Sequence, residues 1–304
     1  MSIIDEIKGS FKSGSVLTKL IYINLGVFLV IKLIGVIEFL FNIQSQTGHG
    51  FVSWLAVPAD INNLITRPWT IITYMFLHVG FLHILFNLLW LYIFGKIFLS
   101  YIDEKKLLNV YLLGGLAGAG LYILAFNLFP VFETALTMSY ALGASAAVLA
   151  IVIVISVYKP DYSINLLFLG PVKLKYIAIF VVVLDIISIA SDNSGGHIAH
   201  LGGALFGYIF TKKYEKGKDI SRGFGKFMDG IFSYFKPKKK MKVTYKRPGY
   251  KNAKAEDDLE YNKRKASEQQ EIDRILDKIA QSGYKSLTKK EKELLFNASK
   301  EKDH

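Results

Sequence analysis

Residues 107–158 read LLNVYLLGGLAGAGLYILAFNLFPVFETALTMSYALGASAAVLAIVIVISVY, and Glu133 is the one charged side chain among these 52 residues. A helix on the surface of a water-soluble domain needs a polar face, which this stretch cannot supply. Hydrophobic residues make up 52% of the chain, and its mean hydropathy is +0.32. The sequence therefore predicts a polytopic membrane protein rather than the two soluble domains that 304 residues would otherwise suggest.

Outward from this stretch, several segments are apolar and long enough to cross about 30 Å of hydrocarbon, for which a helix needs about 20 residues. There are six of them, at residues 17–42, 81–100, 107–129, 141–158, 173–190 and 196–212. All seven prolines fall outside these segments, as expected of residues that interrupt helices. We therefore predict an all-α fold, a bundle of six transmembrane helices.

Charge divides the chain into three predicted regions. An N-terminal interfacial segment, residues 1–16, precedes the membrane domain at residues 17–212, and a basic tail follows at residues 213–304. Residues 212–304 carry 26 lysines and arginines against 15 acidic residues, a net charge of +11 out of the chain's +12. If the N-terminus is inside, the basic residues that flank the segments lie inside except Arg67, so the positive-inside rule predicts that both termini are cytoplasmic.

The first segment has a second interpretation, a cleaved signal peptide, because Leu20–Ile31 has the length of such a peptide's apolar region. Lys32 and Glu38 follow it without a small-x-small cleavage site, which favours a retained helix. Upstream, apolar residues share one face of a predicted short interfacial helix. These residues are Ile3, Ile4, Ile7 and Phe11.

Three of the six segments open with polar side chains, which are costly inside a membrane and therefore need a reason. The second opens with HVGFLHILFN (residues 78–87), the fourth with GASAA (143–147) and the sixth with HIAHLGGALFG (197–207). These segments run in the same direction, so the clusters lie at similar depth. His83 and Asn87 are four residues apart and share a helix face. A hydroxyl, imidazoles and an amide can thus meet at one level.

Small residues would allow these helices to approach each other closely. Gly143 and Ala147 form a small-xxx-small face on the fourth segment, and Gly203 and Gly207 form one on the sixth. Close packing of the two faces would bring the Ser145 hydroxyl within hydrogen-bonding reach of an imidazole. A hydroxyl beside a base is the minimum for nucleophilic catalysis.

The same residues also allow structural interpretations and a metal site. Ser145 could bond to its own helix, Asn87 could join two helices, and His78 and His197 could be hydrogen-bonded interfacial histidines. A metal could be held by four histidines, which are His78, His83, His197 and His200. No carboxylate accompanies them in these motifs, the chain has no cysteine, and Ser145 would have no role. We therefore favour acyl transfer that uses neither a metal nor a cofactor.

The three motifs together resemble those of the rhomboid intramembrane serine proteases of the bacterial six-helix type. The HxxxN motif is present at residues 83–87, the GxSx motif at 143–146 and the AHxGGxxxG pattern at 199–207. The resemblance covers about residues 15–212. It implies that the long loop at residues 43–69 is the family's membrane-embedded first loop.

The resemblance assigns roles to individual residues. Ser145 would be the nucleophile and His200 its general base, in a dyad without a carboxylate. His83, Asn87 and the backbone N–H of Ser145 would bind the oxyanion, and Gly203 would allow the close helix crossing. In a supporting role, polar residues would line a wet cavity that opens to the outside: His78, Ser139, Tyr140 and His197. Gly143 and Gly207 would support the helix approach.

Three positions depart from the family's pattern. Ala146 follows the nucleophile where many members have Gly, and Leu149 replaces a Tyr that stacks on the catalytic histidine. In the first loop, Trp69-Thr70 stands where many members have Trp-Arg, and Arg67 could compensate. Because no reacting group is lost, the resemblance implies an active enzyme.

The implied function is an intramembrane serine endopeptidase that cleaves transmembrane proteins near their outer end through an acyl-enzyme. We expect it in a bacterial inner membrane, with the fifth segment and residues 191–195 as a gate and Asp185 as a cap of the fifth helix. The alternative is an inactive rhomboid-like scaffold or chaperone that binds transmembrane helices. A transporter would predict inverted repeats or broken helices, and the sequence has no clear repeat.

The tail is predicted to hold two helices. The first covers residues 256–282, and a capping box at Thr288–Glu291 begins the second, which ends near Ser299. The basic run FKPKKK at residues 235–240 would attract anionic lipid, and nucleic acid is a less favoured partner. A solvated tail without a docking role is the alternative.

Overall fold

The computed structural model describes residues 3–43, 50–166, 170–235 and 258–301. The chain divides into two compact units after Pro237, and each is described by itself. The first unit contains helices α1 to α10, which are Ile3–Ser13, Val16–Leu40, Ile61–Thr66, Thr70–Thr73, Phe81–Leu99, Glu104–Leu128, Ser145–Tyr158, Leu174–Ile187, Ser194–Tyr214 and Arg222–Phe235. The second contains α11 (Asp258–Ser282) and α12 (Lys289–Glu301).

Helices α2 and α5 to α9 lie on the six predicted apolar segments. The largest difference at a start is in α7, which begins at Ser145 rather than at residue 141. By length and composition, α2, α5 and α6 can cross a membrane, and α7 is a shorter apolar helix. Polar side chains cap the N-termini of two of these six helices: Ser15 Oγ accepts from the Thr18 N–H of α2, and the Asp103 side chain accepts from the Lys106 N–H of α6. The chain is therefore a mostly helical, multi-pass membrane protein.

Helix α7 is the centre of the first unit. Every residue from Ala146 to Ser156 is buried, because α5, α6, α8 and α9 all pack against this helix. Small residues make the approach possible: a Cβ placed on Gly118 of α6 would lie 2.6 Å from Cβ of Ala146 and 2.8 Å from the carbonyl oxygen of Ala199. The three helices α6, α7 and α9 thus meet backbone to backbone.

Two short antiparallel sheets correct the purely helical prediction. Strand β1 (Val57–Pro58) pairs with β2 (Tyr140–Ala141), and β3 (Ser163–Leu166) forms a hairpin with β4 (Gly170–Lys173) between α7 and α8. The first sheet joins the long first loop to the segment that leads into α7. At the second, Lys175 donates to Asp161 and lowers the pKa of that carboxyl.

In the described part of the long first loop, two tryptophans and one arginine join residues 53–54 to residues 67–69. The Arg67 guanidinium donates to the Ser53 carbonyl at 3.1 Å and lies 4.7 Å from the ring centre of Trp54. Trp69 Nε1 donates to the Trp54 carbonyl at 2.8 Å. Thr70, where the family often has arginine, is buried and donates to the Arg67 carbonyl.

Helix α10 was not predicted and belongs to the first unit. Asn109 Nδ2 of α6 donates to Ser221 Oγ at 3.3 Å, and Lys105 pairs with Asp229 at 3.1 Å. The tail was predicted to begin at residue 213, but that residue lies inside α9, because α9 ends at Tyr214.

The second unit contains the predicted helical pair. Glu291 Oε2 accepts from the Thr288 N–H at 2.7 Å, and the Glu291 N–H lies 3.4 Å from Thr288 Oγ1, which is the capping box that the sequence indicated. Lys278 of α11 donates to the same carboxylate at 2.8 Å. This hydrogen bond, together with those from Thr288, lowers the pKa of Glu291 to about 2. Residues 236–240 of the basic run lie outside the described residues.

Candidate active site

A cavity of about 770 Å³ lies where α5, α7 and α9 begin. Its lining brings together four residues that the sequence singled out, Ser145, His200, His83 and Asn87. Leu82, Phe86 and Trp90 of α5 and Val181 of α8 add apolar walls. Chain positions far apart in sequence thus supply a hydroxyl, two imidazoles and an amide to one space.

Gly143 allows the tight turn that precedes Ser145. Its φ of +124° is a conformation that residues with a side chain rarely adopt, and its N–H donates to the Tyr74 carbonyl at 2.9 Å. A Cβ at this position would lie 2.8 Å from Cε1 of His83 and 3.6 Å from Oγ of Ser145. The His83 ring and the Ser145 hydroxyl therefore both border the Gly143 backbone.

His78 is fully buried and forms a hydrogen bond with the same turn. Its Nε2 accepts from the backbone N–H of Ala144 at 3.3 Å, and its ring stands edge-on to that of His83 with centroids 5.1 Å apart. The expectation that His78 lines a wet cavity is therefore wrong. Its position instead orients the turn that carries Ser145 and the ring of His83.

Ser145 is the first residue of α7. The N–H groups of a first turn have no acceptor within their own helix and form the positive end of its dipole. The backbone N–H of Ser145 is thus suited to bind negative charge beside its own hydroxyl.

The Asn87 side chain faces the cavity, but its amide is engaged locally. Nδ2 donates to the carbonyl oxygen of His83, one turn earlier in α5, at 2.8 Å. If the Asn87 amide turned toward an oxyanion, its N–H group would exchange the carbonyl of His83 for the oxyanion as acceptor. The amide can therefore turn without leaving a donor unpaired.

The glycines of α9 give the close helix approach that their spacing predicts. A Cβ on Gly203 would collide with the Ala146 carbonyl oxygen, and one on Gly207 would lie 2.6 Å from the Ala150 carbonyl oxygen. The methyl group of Ala146, a departure from the family pattern, faces Gly118 of α6, where no side chain competes for the space.

Asp185 of α8 is the functional candidate that the motifs did not include. It is buried, and its Oδ1 accepts from Nδ1 of His197 and from Nδ1 of His200, each at 2.8 Å. The predicted dyad has no carboxylate, whereas the structure places Asp185 against Nδ1 of His200; the catalytic roles of Ser145 and His200 stay predictions. The expectation that Asp185 only caps its helix is wrong, because both contacts reach α9. The available signal was a carboxylate inside an apolar segment, which calls for a partner.

The geometry speaks against the four-histidine metal site. His78 and His83 contact each other, whereas His197 and His200 share Asp185. Donor atoms of Asp185, His197 and His200 all lie within 4.8 Å of one another, so these three could hold an ion. However, ligand atoms around a tetrahedral zinc stand about 3.3 Å apart, and the 2.8 Å separations here are those of hydrogen bonds.

The fold and the cavity define a mostly helical membrane protein with a serine, two histidines and an asparagine around one space, and comparison with known proteins indicates its family. Residues 66–215 match the Rhomboid domain. The chain is 32% identical over 161 residues to RHOMBOID-like protein 12, mitochondrial, from Arabidopsis thaliana. Residues 66–215 therefore form a rhomboid domain, and both matches support a rhomboid family protein.

The extent of these matches is limited to parts of the chain. The alignment with the Arabidopsis protein covers 50% of this chain and 48% of that protein, so the chain spans about half the length of the curated relative that it matches. Residues 257–301, which include all of α11 and α12, match a family of unknown function, DUF6576.

Proposed function

We propose that this protein is an intramembrane serine endopeptidase that cleaves transmembrane proteins near the outer end of the substrate helix. The observation that supports the proposal is the shared cavity of a nucleophile, a base and donors for an oxyanion. These groups are the ones that acyl transfer requires. They are Ser145, His200, His83 and Asn87.

In the proposed reaction, Ser145 Oγ attacks the scissile carbonyl carbon while its proton passes to Nε2 of His200. The oxyanion is bound by the Ser145 N–H at the start of α7 and by the side chains of His83 and Asn87. His200 then gives the proton to the leaving amine as the C–N bond breaks. A water molecule, activated by the same imidazole, hydrolyses the acyl-enzyme, and the reaction uses neither a metal nor a cofactor.

The proposed substrate is a transmembrane helix with small or helix-breaking residues near its outer end. A backbone in lipid stays helical unless something destabilises it, and a serine needs an extended bond to attack. The apolar walls that Phe86, Trp90 and Val181 give the cavity suit the side chains of such a substrate.

The proposed topology has six membrane-crossing helices, with both termini and the basic tail in the cytoplasm of a bacterial inner membrane. The distribution of basic residues supports it, because Lys105, Lys106, Lys159 and Lys173 then flank the helices on the inner side. Anionic lipid is the proposed partner of the tail's basic run.

Cleavage in liposomes tests the proposal. Reconstituted wild-type protein should cut a transmembrane substrate that carries Gly, Ala or Ser near its outer end, and Ser145→Ala and His200→Ala should not. Ser156→Ala is the matched control, since this serine lies buried at the other end of α7 and should be dispensable. Substrate binding without cleavage by the wild type would favour the inactive scaffold instead.

A further inference from the structure

We propose that Asp185 is a positioning residue for His200 and completes a Ser145–His200–Asp185 chain in this protein. This inference rests on the proposed function. It starts from a single contact, in which Oδ1 of Asp185 accepts from Nδ1 of His200 at 2.8 Å.

The contact fixes which nitrogen of His200 carries the proton. A carboxylate can only accept a hydrogen bond, so Nδ1 of the neutral imidazole holds the hydrogen and Nε2 presents its lone pair. A general base for Ser145 needs that lone pair. In the opposite tautomer, Nε2 would carry a proton already and could not take the one from Oγ.

The carboxylate also matches the charge that develops during the reaction. When the Oγ proton arrives at Nε2, the imidazole becomes a cation beside a buried anion, whose side chain is 6% exposed. The proton on Nδ1 stays where it is, and Asp185 does not become protonated. Asp185 therefore acts through His200 and does not touch the substrate.

Asp185 restrains the imidazole of His200, which the residue at position 149 of α7 does not do. Leu149 lines the cavity where many members have a Tyr that stacks on the histidine, and an aliphatic side chain gives the ring no such surface. A carboxylate on α8 holds the ring by its far nitrogen instead. His197 donates to the same Oδ1, which restrains the carboxylate from a second side.

A purely structural role is the competing explanation, in which Asp185 only ties α8 to the start of α9. That role would be shared by both histidines, because each contributes one bond of 2.8 Å. The two explanations differ in their kinetic consequences. Loss of a positioning residue lowers kcat at unchanged KM, whereas loosening of two helices lowers thermal stability and does so equally when His197 is removed.

The experiment uses the full chain in liposomes and the substrate that the wild type cleaves. Asp185→Asn is nearly isosteric, but its amide can present N–H to Nδ1 and favour the wrong tautomer. We expect kcat to fall about 10²–10⁴-fold with little change in KM. Glu133→Gln, which removes an exposed carboxylate, is the matched control and should keep wild-type kcat. His197→Gln should lower kcat much less than Asp185→Asn.

A second measurement is made on the wild-type protein, so its outcome does not depend on whether Asp185→Asn folds. In wild-type protein with ¹⁵N-labelled histidine, nitrogen chemical shifts should show His200 as the Nδ1–H tautomer, assigned by its loss in His200→Ala. The Nε2–H tautomer, or wild-type kcat in Asp185→Asn, would overturn the inference. Absence of Ser145-dependent cleavage by the wild type would overturn the proposed function instead, so the two failures are distinguishable.

Discussion

Oδ1 of Asp185 on α8 lies 2.8 Å from Nδ1 of His200 on α9, fifteen residues later in the chain. The contact links two helices at the level of the cavity and gives the histidine a defined orientation toward it. The same oxygen accepts from His197, so three side chains from two helices form one hydrogen-bonded group. The rhomboid domain of this chain thus holds a carboxylate next to the imidazole that the proposed mechanism uses as its base.

Asn87→Ala tests the proposed oxyanion site. Removal of one preorganised donor of this kind typically lowers kcat about 10²–10³-fold, and the reaction should be slowed rather than abolished because His83 and the Ser145 N–H remain. Steady-state cleavage in liposomes measures the effect. Asn127→Ala removes an amide that donates to Ala59 and Ile123 instead, and it should not change kcat. Unchanged turnover in Asn87→Ala would exclude the oxyanion role.

Gly203→Ala tests the close crossing of α7 and α9. The added methyl would collide with the Ala146 carbonyl, which is backbone and cannot move aside cheaply. Overpacking of this kind costs about 1–3 kcal/mol, so the unfolding temperature in detergent should fall. Gly120→Ala places the same methyl in open space on α6 and should not lower it. Equal unfolding temperatures for the two variants would contradict the backbone contact.

His78→Leu tests how the turn before Ser145 is held. The substitution removes the acceptor of the buried Ala144 N–H, and an unsatisfied buried donor costs about 1–3 kcal/mol. Both thermal stability and kcat should fall, because the turn carries the nucleophile. His78→Gln keeps an acceptor at similar reach and should recover part of both. A variant with leucine that is as active as the wild type would show that His78 does not position the turn.

The helices themselves could be predicted from the sequence because apolar length is a local property. The ends of the helices are less local: α7 begins at Ser145 because Gly143 turns the chain there, and Tyr140 and Ala141 pair with Pro58 and Val57 of the first loop instead of continuing the helix. The two sheets were missed because strands of two to four residues leave too short a pattern to recognise.

At the site, the motif residues could be predicted but one contact between helices could not. Ser145 and His200 belong to recognisable motifs, whereas Asp185 is an isolated carboxylate in an apolar helix. Its partner, His200, is decided by how α8 packs against α9. Likewise, Gly114 and Gly118 form a GxxxG face on α6 that the analysis of α7 and α9 did not use. Gly118 provides the space that accommodates the methyl of Ala146.

The second unit should lose stability in acid through Glu291. Lys278 and the cap hold the pKa of this carboxyl at about 2, below its ordinary 4.5. Because the folded state favours the ionised form, the stabilisation is complete above pH 4.5 and is lost as pH falls toward 2. Hydrogen exchange of residues 284–301 in the full chain, corrected for intrinsic rates, should show this loss. Glu291→Gln should remove it from that window, and the exposed Glu293→Gln should not.

Reaction with a fluorophosphonate probe tests the central claim of an activated serine most directly. We expect purified wild-type protein in detergent to form one covalent adduct, located by mass spectrometry on Ser145. His200→Ala should lose the adduct although the hydroxyl is still present, because the base is gone. A folded wild type that forms no adduct, or an adduct that persists in Ser145→Ala, would contradict the account.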